Sequence, residues 1–187
     1  MNRFVVRVAQ RLAAPVALVV SVVGLGACSP TFNWREVRVE PTALVALLPC
    51  KPDQGTREVV LGGQALSLHM LGCDVDTSTF AVSYIDLPDA SQVPAVLAQW
   101  KAAMLSTMRA TQTRELPATV KGVATAANGS ALPLLLVQAQ GTRPDGRAVV
   151  AQGVWFARDR QLFHAVMYAD RVNPDVADAF LSGLQLK

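Results

Sequence analysis

Arg147-Ala148-Val149-Val150-Ala151-Gln152-Gly153-Val154-Trp155-Phe156-Ala157, followed after Arg158-Asp159-Arg160 by Gln161-Leu162-Phe163-His164-Ala165-Val166-Met167-Tyr168-Ala169, reads as two strands joined by a tight turn. Successive side chains of a strand point to opposite faces. Val149 and Trp155 therefore oppose Val150, Val154 and Phe156, and Phe163 and Met167 oppose Leu162, Val166 and Tyr168. Both strands are apolar on both faces, so each face needs a covering layer. These strands belong in the interior of a sheet.

Working outward, Leu132 to Gln140 leads through Thr142-Arg143-Pro144-Asp145-Gly146 into the first of the two, which makes a three-strand meander. Downstream, Asn173 caps a helix with Pro174 at its first position and Asp175 against its dipole. Val176, Phe180 and Leu184 form its apolar stripe, and Gly183 ends it. A second helix lies upstream. Ser91 caps it, Pro94 is tolerated in its first turn, and Val93, Leu97, Trp100, Met104 and Met108 recur at helical spacing. Gln99, Lys101, Ser106 and Arg109 fall on its wet side. Residues 111–131 are small and polar and predict a loop with one strand near Ala118 to Ala124 and a turn at Asn128-Gly129.

Before that helix the pattern is extended. Arg35 to Val39 alternates like a strand. Thr42 to Leu48 is apolar and is either a buried strand or a helical turn, since periodicity does not decide so short a run. Lys51 to Gly55 reads as a turn. Strands follow at Thr56 to Leu61, at Gln64 to Cys73 after Gly62-Gly63, and at Thr77 to Asp86, which turns Phe80, Val82 and Tyr84 to one face. The expected class is α+β: an antiparallel sheet of about six strands with helices packed on its faces.

A different signal precedes this domain. Arg3, Arg7 and Arg11 are the ionisable side chains of the first 27 residues, and Leu12 to Leu25 is apolar apart from Pro15, Ser21 and Gly24. A basic region, an apolar core and a small-residue junction make an export signal, expected to be helical. The run is short of the ~20 residues that span ~30 Å of hydrocarbon. Its end, Leu25-Gly26-Ala27-Cys28, resembles the lipobox of bacterial lipoproteins. That resemblance implies cleavage between Ala27 and Cys28 and lipidation of Cys28. One myristoyl-length chain binds a membrane only marginally, whereas two or three hold it stably. Ser29 follows the cysteine. Lipoproteins retained in the inner membrane commonly carry aspartate there, so the resemblance implies an outer-membrane anchor facing the periplasm. The expected organisation is a signal at 1–27, a tether at 28–33 and a single periplasmic domain at 34–187.

Processing also changes the charge. The whole chain has 17 basic and 14 acidic residues. Loss of the three arginines makes the mature domain formally neutral, so the pI near 9.0 belongs to the signal. No Lys/Arg cluster appears, which argues against nucleic-acid binding. With Cys28 lipidated, Cys50 and Cys73 allow one intramolecular pairing, and an oxidising envelope favours it. The rival reading is a thiol nucleophile or a metal-ligand pair, though neither cysteine has C-x-x-C or zinc-like spacing.

From residue 34 to 186 the order of elements (early strands, a Trp-bearing helix, a meander, a short terminal helix) resembles the PsbP-like α+β sandwich. Members of that group mostly bind or help assemble other proteins, which implies a non-enzymatic role here. The residues agree in lacking a catalytic constellation. His69 and His164 both read as packed sheet residues, and no G-x-S-x-G precedes a helix. Asp74-Val75-Asp76-Thr77-Ser78 has too few oxygen ligands for a calcium loop and reads as a solvated turn. Trp34 either rests at the membrane interface or packs into the core, and Trp155 is core. No metal and no cofactor is expected.

The leading expectation is therefore a non-catalytic module that binds or supports an envelope protein, held to the membrane through Cys28. A second is a carrier of a small apolar ligand or lipid in a pocket near Trp100, Met104 and Met108. A third, weaker one is a hydrolase that sets His69 or His164 beside a carboxylate.

Overall fold

A computed structural model describes residues 31–123 and 134–187. The expected signal at 1–27, the Ala27/Cys28 junction and the Asn128-Gly129 turn lie outside them. In chain order the strands are β1 (Arg35–Arg38), β2 (Leu44–Leu48), β3 (Asp53–Leu61), β4 (Gln64–Val75) and β5 (Ser78–Asp86). Helix α1 (Val93–Thr107) comes next, then β6 (Gln112–Pro117), β7 (Leu135–Thr142), β8 (Ala148–Arg158) and β9 (Gln161–Ala169). Helix α2 (Pro174–Ser182) and β10 (Gln185–Leu186) close the chain.

Seven strands form one antiparallel sheet in the order β3-β4-β5-β9-β8-β7-β6, and β1-β2-β10 form a separate three-stranded sheet. The two-faced strand of the sequence, β9, is the middle of the seven. It pairs with β5 on one side (Ser83 opposite His164) and with β8 on the other (Trp155 opposite His164, Phe156 opposite Phe163). Helix α1 covers one face: Val93, Val96, Trp100, Met104 and Met108 pack on Leu68, Ile85, Val149, Trp155, Leu162 and Val166. On the other face Phe80, Val82, Phe156, Phe163 and Met167 meet Leu44, Ala46 and Leu48 of β2 and Phe180 of α2. The fold is thus α+β with a large antiparallel sheet and two helices, of seven strands where about six were expected. The second face is covered by a small sheet as well as by a helix. Thr42 to Leu48 supplies that sheet's central strand, which settles the choice between strand and helical turn.

Several boundaries move for identifiable reasons. The strand expected near Ala118 to Ala124 lies earlier, as β6. This edge strand pairs only with β7 and its side chains are mostly exposed, so it carries no apolar alternation to read. Part of the expected turn at Lys51 to Gly55 joins β3, where Asp53, Gln54 and Gly55 pair with Gly72, Leu71 and Met70. Ser91 does not cap α1. A 3-10 turn, Ala90–Gln92, precedes the helix, and Asp89 Oδ1 accepts the Ser91 N–H at 2.8 Å. Asn173 caps α2 as expected, its Oδ1 accepting the Asp175 N–H at 3.0 Å. Gly183 ends α2 in ordinary right-handed geometry. It is required there because a Cβ would run into Leu47.

Cys50, just past β2, is disulfide-bonded to Cys73 on β4, with Cα atoms 6.0 Å apart. The bridge ties the small sheet to the large one. Trp34 meets Phe80 edge-on, with ring centroids 6.3 Å apart, and Phe32 of the expected tether stacks on Trp34. Trp34 therefore packs against the core. No helix among the described residues is long and apolar enough to cross a membrane.

Candidate functional site

Helix α1 is fastened to the sheet at both ends. At its start, Gln64 Nε2 donates to Gln92 Oε1 at 2.9 Å, and midway along it Gln99 Oε1 accepts the Gly62 N–H at 2.6 Å. At its end the Thr142 N–H donates to the Met108 carbonyl at 2.7 Å. Gly141 permits that approach, since a Cβ there would collide with the Met108 carbonyl. Lys101 adds an ion pair to Glu115 of β6 at 2.6 Å. Between these fastenings helix and sheet do not meet everywhere, and a cavity of about 450 Å³ opens toward solvent. That volume falls within the ~300–1,000 Å³ of small-molecule sites.

Strand alternation selects the walls. The inward side chains of β3 and β4 supply Val59, Leu61, Leu68 and Met70, and β5 supplies Ala81 and Ser83. From β9 come His164, Val166 and Tyr168, and from α1 Trp100, Ala103, Met104, Thr107 and Met108. The three residues expected to line a ligand pocket, Trp100, Met104 and Met108, all border this cavity. His164, Val166 and Tyr168 were legible only as the face of β9 opposite Phe163 and Met167. Arg57 and Arg143 had no sequence signal of their own, because an arginine in a strand or turn ordinarily faces water.

The floor is polar in places and uncharged. His164 is 4% exposed and stacks on Trp155 at 4.1 Å between centroids, while Trp100 meets it edge-on at 5.5 Å. Burial pushes the His164 imidazole down to about 3, so the ring is neutral at physiological pH. Its Nε2 and the Trp155 Nε1 are buried without a hydrogen-bond partner among the described residues. Gly153 lies beside that nitrogen, where a Cβ would come within 3.1 Å of it. Burial also pushes the Tyr168 phenol up to about 12, which keeps it protonated. Among the described residues, Arg57 of β3 and Arg143 of the β7–β8 turn are the only charged ones that line the cavity, and none of the lining residues is a carboxylate.

His69 lies on the opposite face, stacked on Tyr84 at 4.5 Å with its Nδ1 3.0 Å from Thr56 Oγ1. Neither histidine has a hydrogen bond or ion pair to a carboxylate among the described residues. Asp74 accepts from Thr79 Oγ1 at 2.6 Å in the β4–β5 hairpin, and Asp76 takes the left-handed conformation of its turn. No group of three or more potential metal-ligating side chains occurs among the described residues.

Compared with known proteins, the chain matches no protein-family model and no curated sequence. Among solved structures it is similar to PA94 of Pseudomonas aeruginosa, a protein of unknown function, at 15% identity and a TM-score of 0.32. That match covers 73% of this chain and 82% of the other.

Proposed function

We propose that this protein is a lipid-anchored component of the bacterial envelope whose domain holds a small, predominantly apolar ligand without transforming it. In this reading a helical export segment, residues 1–27, is removed, Cys28 carries the lipid, and residues 34–187 face the periplasm from the outer membrane. The observation that carries the ligand reading is the cavity between α1 and the seven-stranded sheet. Its walls are Val, Leu, Met and Trp, its floor is neutral, and Ser83, His164 and Tyr168 place a few polar side chains among them. Apolar pockets with a few convergent polar groups are the usual form of small-molecule sites. The element order that resembles the PsbP-like sandwich supports the same non-catalytic role.

Support for an envelope protein partner is weaker. Interfaces are anchored by exposed aromatic, Met or Arg side chains that become buried on association. Among the described residues the one large apolar side chain that stands well exposed is Val60, at 75%. The binding surface of this domain is therefore better sought inside the cavity than on its outside.

Two measurements test the proposal. N-phenyl-1-naphthylamine, a neutral apolar fluorophore, is expected to brighten on binding the purified protein. Met104→Trp, which fills the cavity, should abolish that signal; equal brightening by this variant would remove the cavity as the site. Cells fed labelled palmitate should label the wild type and not Cys28→Ala, and unchanged labelling and processing of the variant would contradict the anchor.

A further inference from the structure

Building on that ligand reading, we propose that the ligand is a single-chain amphiphile with an anionic head. Its apolar part lies against Met70, Trp100 and Met104, and its head sits at the two arginines of the cavity, Arg143 and Arg57. Three observations carry this. First, among the described residues the charge on the cavity wall has one sign, with two guanidinium groups and no carboxylate. A cationic head would meet repulsion there, and an uncharged head would gain no charge pairing.

Second, the acid of the turn that bears Arg143 is taken by another arginine. Asp145, the acid of that turn, is engaged by Arg147, whose Nε donates to its Oδ2 at 2.8 Å and whose backbone N–H donates to its Oδ1 at 3.0 Å. Arg143 is left with a long contact to Asp170, 3.4 Å from Nη2, while its Nε is buried without a partner among the described residues. A buried N–H donor of a charged group strongly favours an anionic acceptor, and a guanidinium matches the two oxygens of a carboxylate or phosphate.

Third, the floor excludes charge. His164, Ser83 and Tyr168 present polar atoms that carry no charge, among apolar walls. An ionised head would lose its hydration on that floor with no counter-charge in return, so it must stay with the arginines while the chain enters. The shared head chemistry is a carboxylate or a phosphate monoester, from a fatty acid or from a phospholipid fragment respectively.

The test is displacement of N-phenyl-1-naphthylamine at neutral pH by four twelve-carbon chains below their micelle concentrations: dodecanoate, dodecyl phosphate, dodecanol and dodecyltrimethylammonium. The expected result is that at least one anion displaces the probe at about a tenfold lower concentration than dodecanol, the worth of one charge-assisted hydrogen bond. The cation should be weaker than dodecanol. Which anion is stronger identifies the head. Arg143→Gln and Arg57→Gln should shrink the anion's margin while dodecanol and the probe bind as before, and Arg143→Lys should keep part of it. Equal displacement by dodecanol and both anions, or an unchanged margin in both glutamine variants, would overturn the head assignment and leave the cavity reading standing. Failure of the probe and of all four chains to bind would remove both.

Discussion

His164 is the residue that most clearly joins fold to site. It is central in the large sheet, stacked on Trp155 and touched by Trp100, and burial holds its imidazole far below the usual histidine range. The folded state therefore resists a proton that the unfolded chain accepts near pH 6.5. Because the folded value is the lower one, the unfolded state binds more protons as pH falls below 6.5 and stability drops. The contribution is fully present above pH 6.5 and is lost progressively down to about pH 3. At pH 4.5 this one group should cost on the order of 2–3 kcal/mol relative to neutral pH. His164→Phe keeps a ring of similar size and removes the titration. Urea unfolding at pH 7 and 4.5 should show a smaller acid-side loss in the variant by about that amount. Parallel losses in the two proteins would mean that the imidazole is protonated in the native state. The apolar phase of β9 was readable in the sequence. The unpartnered Nε2 was not, because it depends on which residues of β8 and α1 arrive beside it.

Among the elements, α2 and β6 mark the two extremes of legibility. Helix α2 announces itself by Asn173, Pro174 and Asp175, a local code that works over three residues, and the structure shows the cap it implies. Asn173→Ala should lower stability by about 1 kcal/mol, the usual worth of an N-cap, read as a fall in the thermal midpoint. Asn173→Asp should keep most of it, and a midpoint unmoved by alanine would mean that the helix end is held by packing instead. Strand β6 has no such code. Its pairing energy comes from the backbone ladder with β7, which depends little on side-chain identity, and its exposed side chains leave no pattern. Helix α1 is intermediate. Trp100, Met104 and Met108 were readable as an apolar stripe, but Val96, 1% exposed, belongs in it, and Leu97 is only half-buried. A 3.6-residue period leaves neighbouring positions 100° apart, so the choice between them is made by where the sheet lies.

At the scale of the whole molecule, two apolar clusters sit on opposite faces of one sheet, and the Cys50–Cys73 bridge connects the small sheet to the large one. The closed loop spans a sequence separation of 23. In the chain-entropy account, closing a loop of that size contributes about 3.4 kcal/mol. The double variant Cys50→Ser/Cys73→Ser should unfold at lower denaturant by about that free energy, and reduced wild type should fall to the same midpoint. A wild-type midpoint indifferent to reductant would show that the bridge does not contribute. The same organisation bears on ligand binding. On the face covered by the small sheet and α2, Phe and Leu side chains pack at the centre, and a second cavity of about 450 Å³ lies beside α2 between Leu136, Val154 and Leu181. The other face is covered by a single helix, too narrow to close over seven strands, and the cavity opens there.

By itself, the sequence determined the α+β class, the position of β9 inside a sheet with two covered faces, both helices and the pair of cysteines able to bridge. All of these follow from periodicity, caps and composition within short windows. Tertiary structure alone decided that β1, β2 and β10 form a sheet of their own. It also decided that Arg57, from one edge of the large sheet, and Arg143, from a turn at its far side, share a cavity with Trp100. Pairings between distant segments set those juxtapositions, and a side chain's surroundings are not encoded in the residues next to it along the chain.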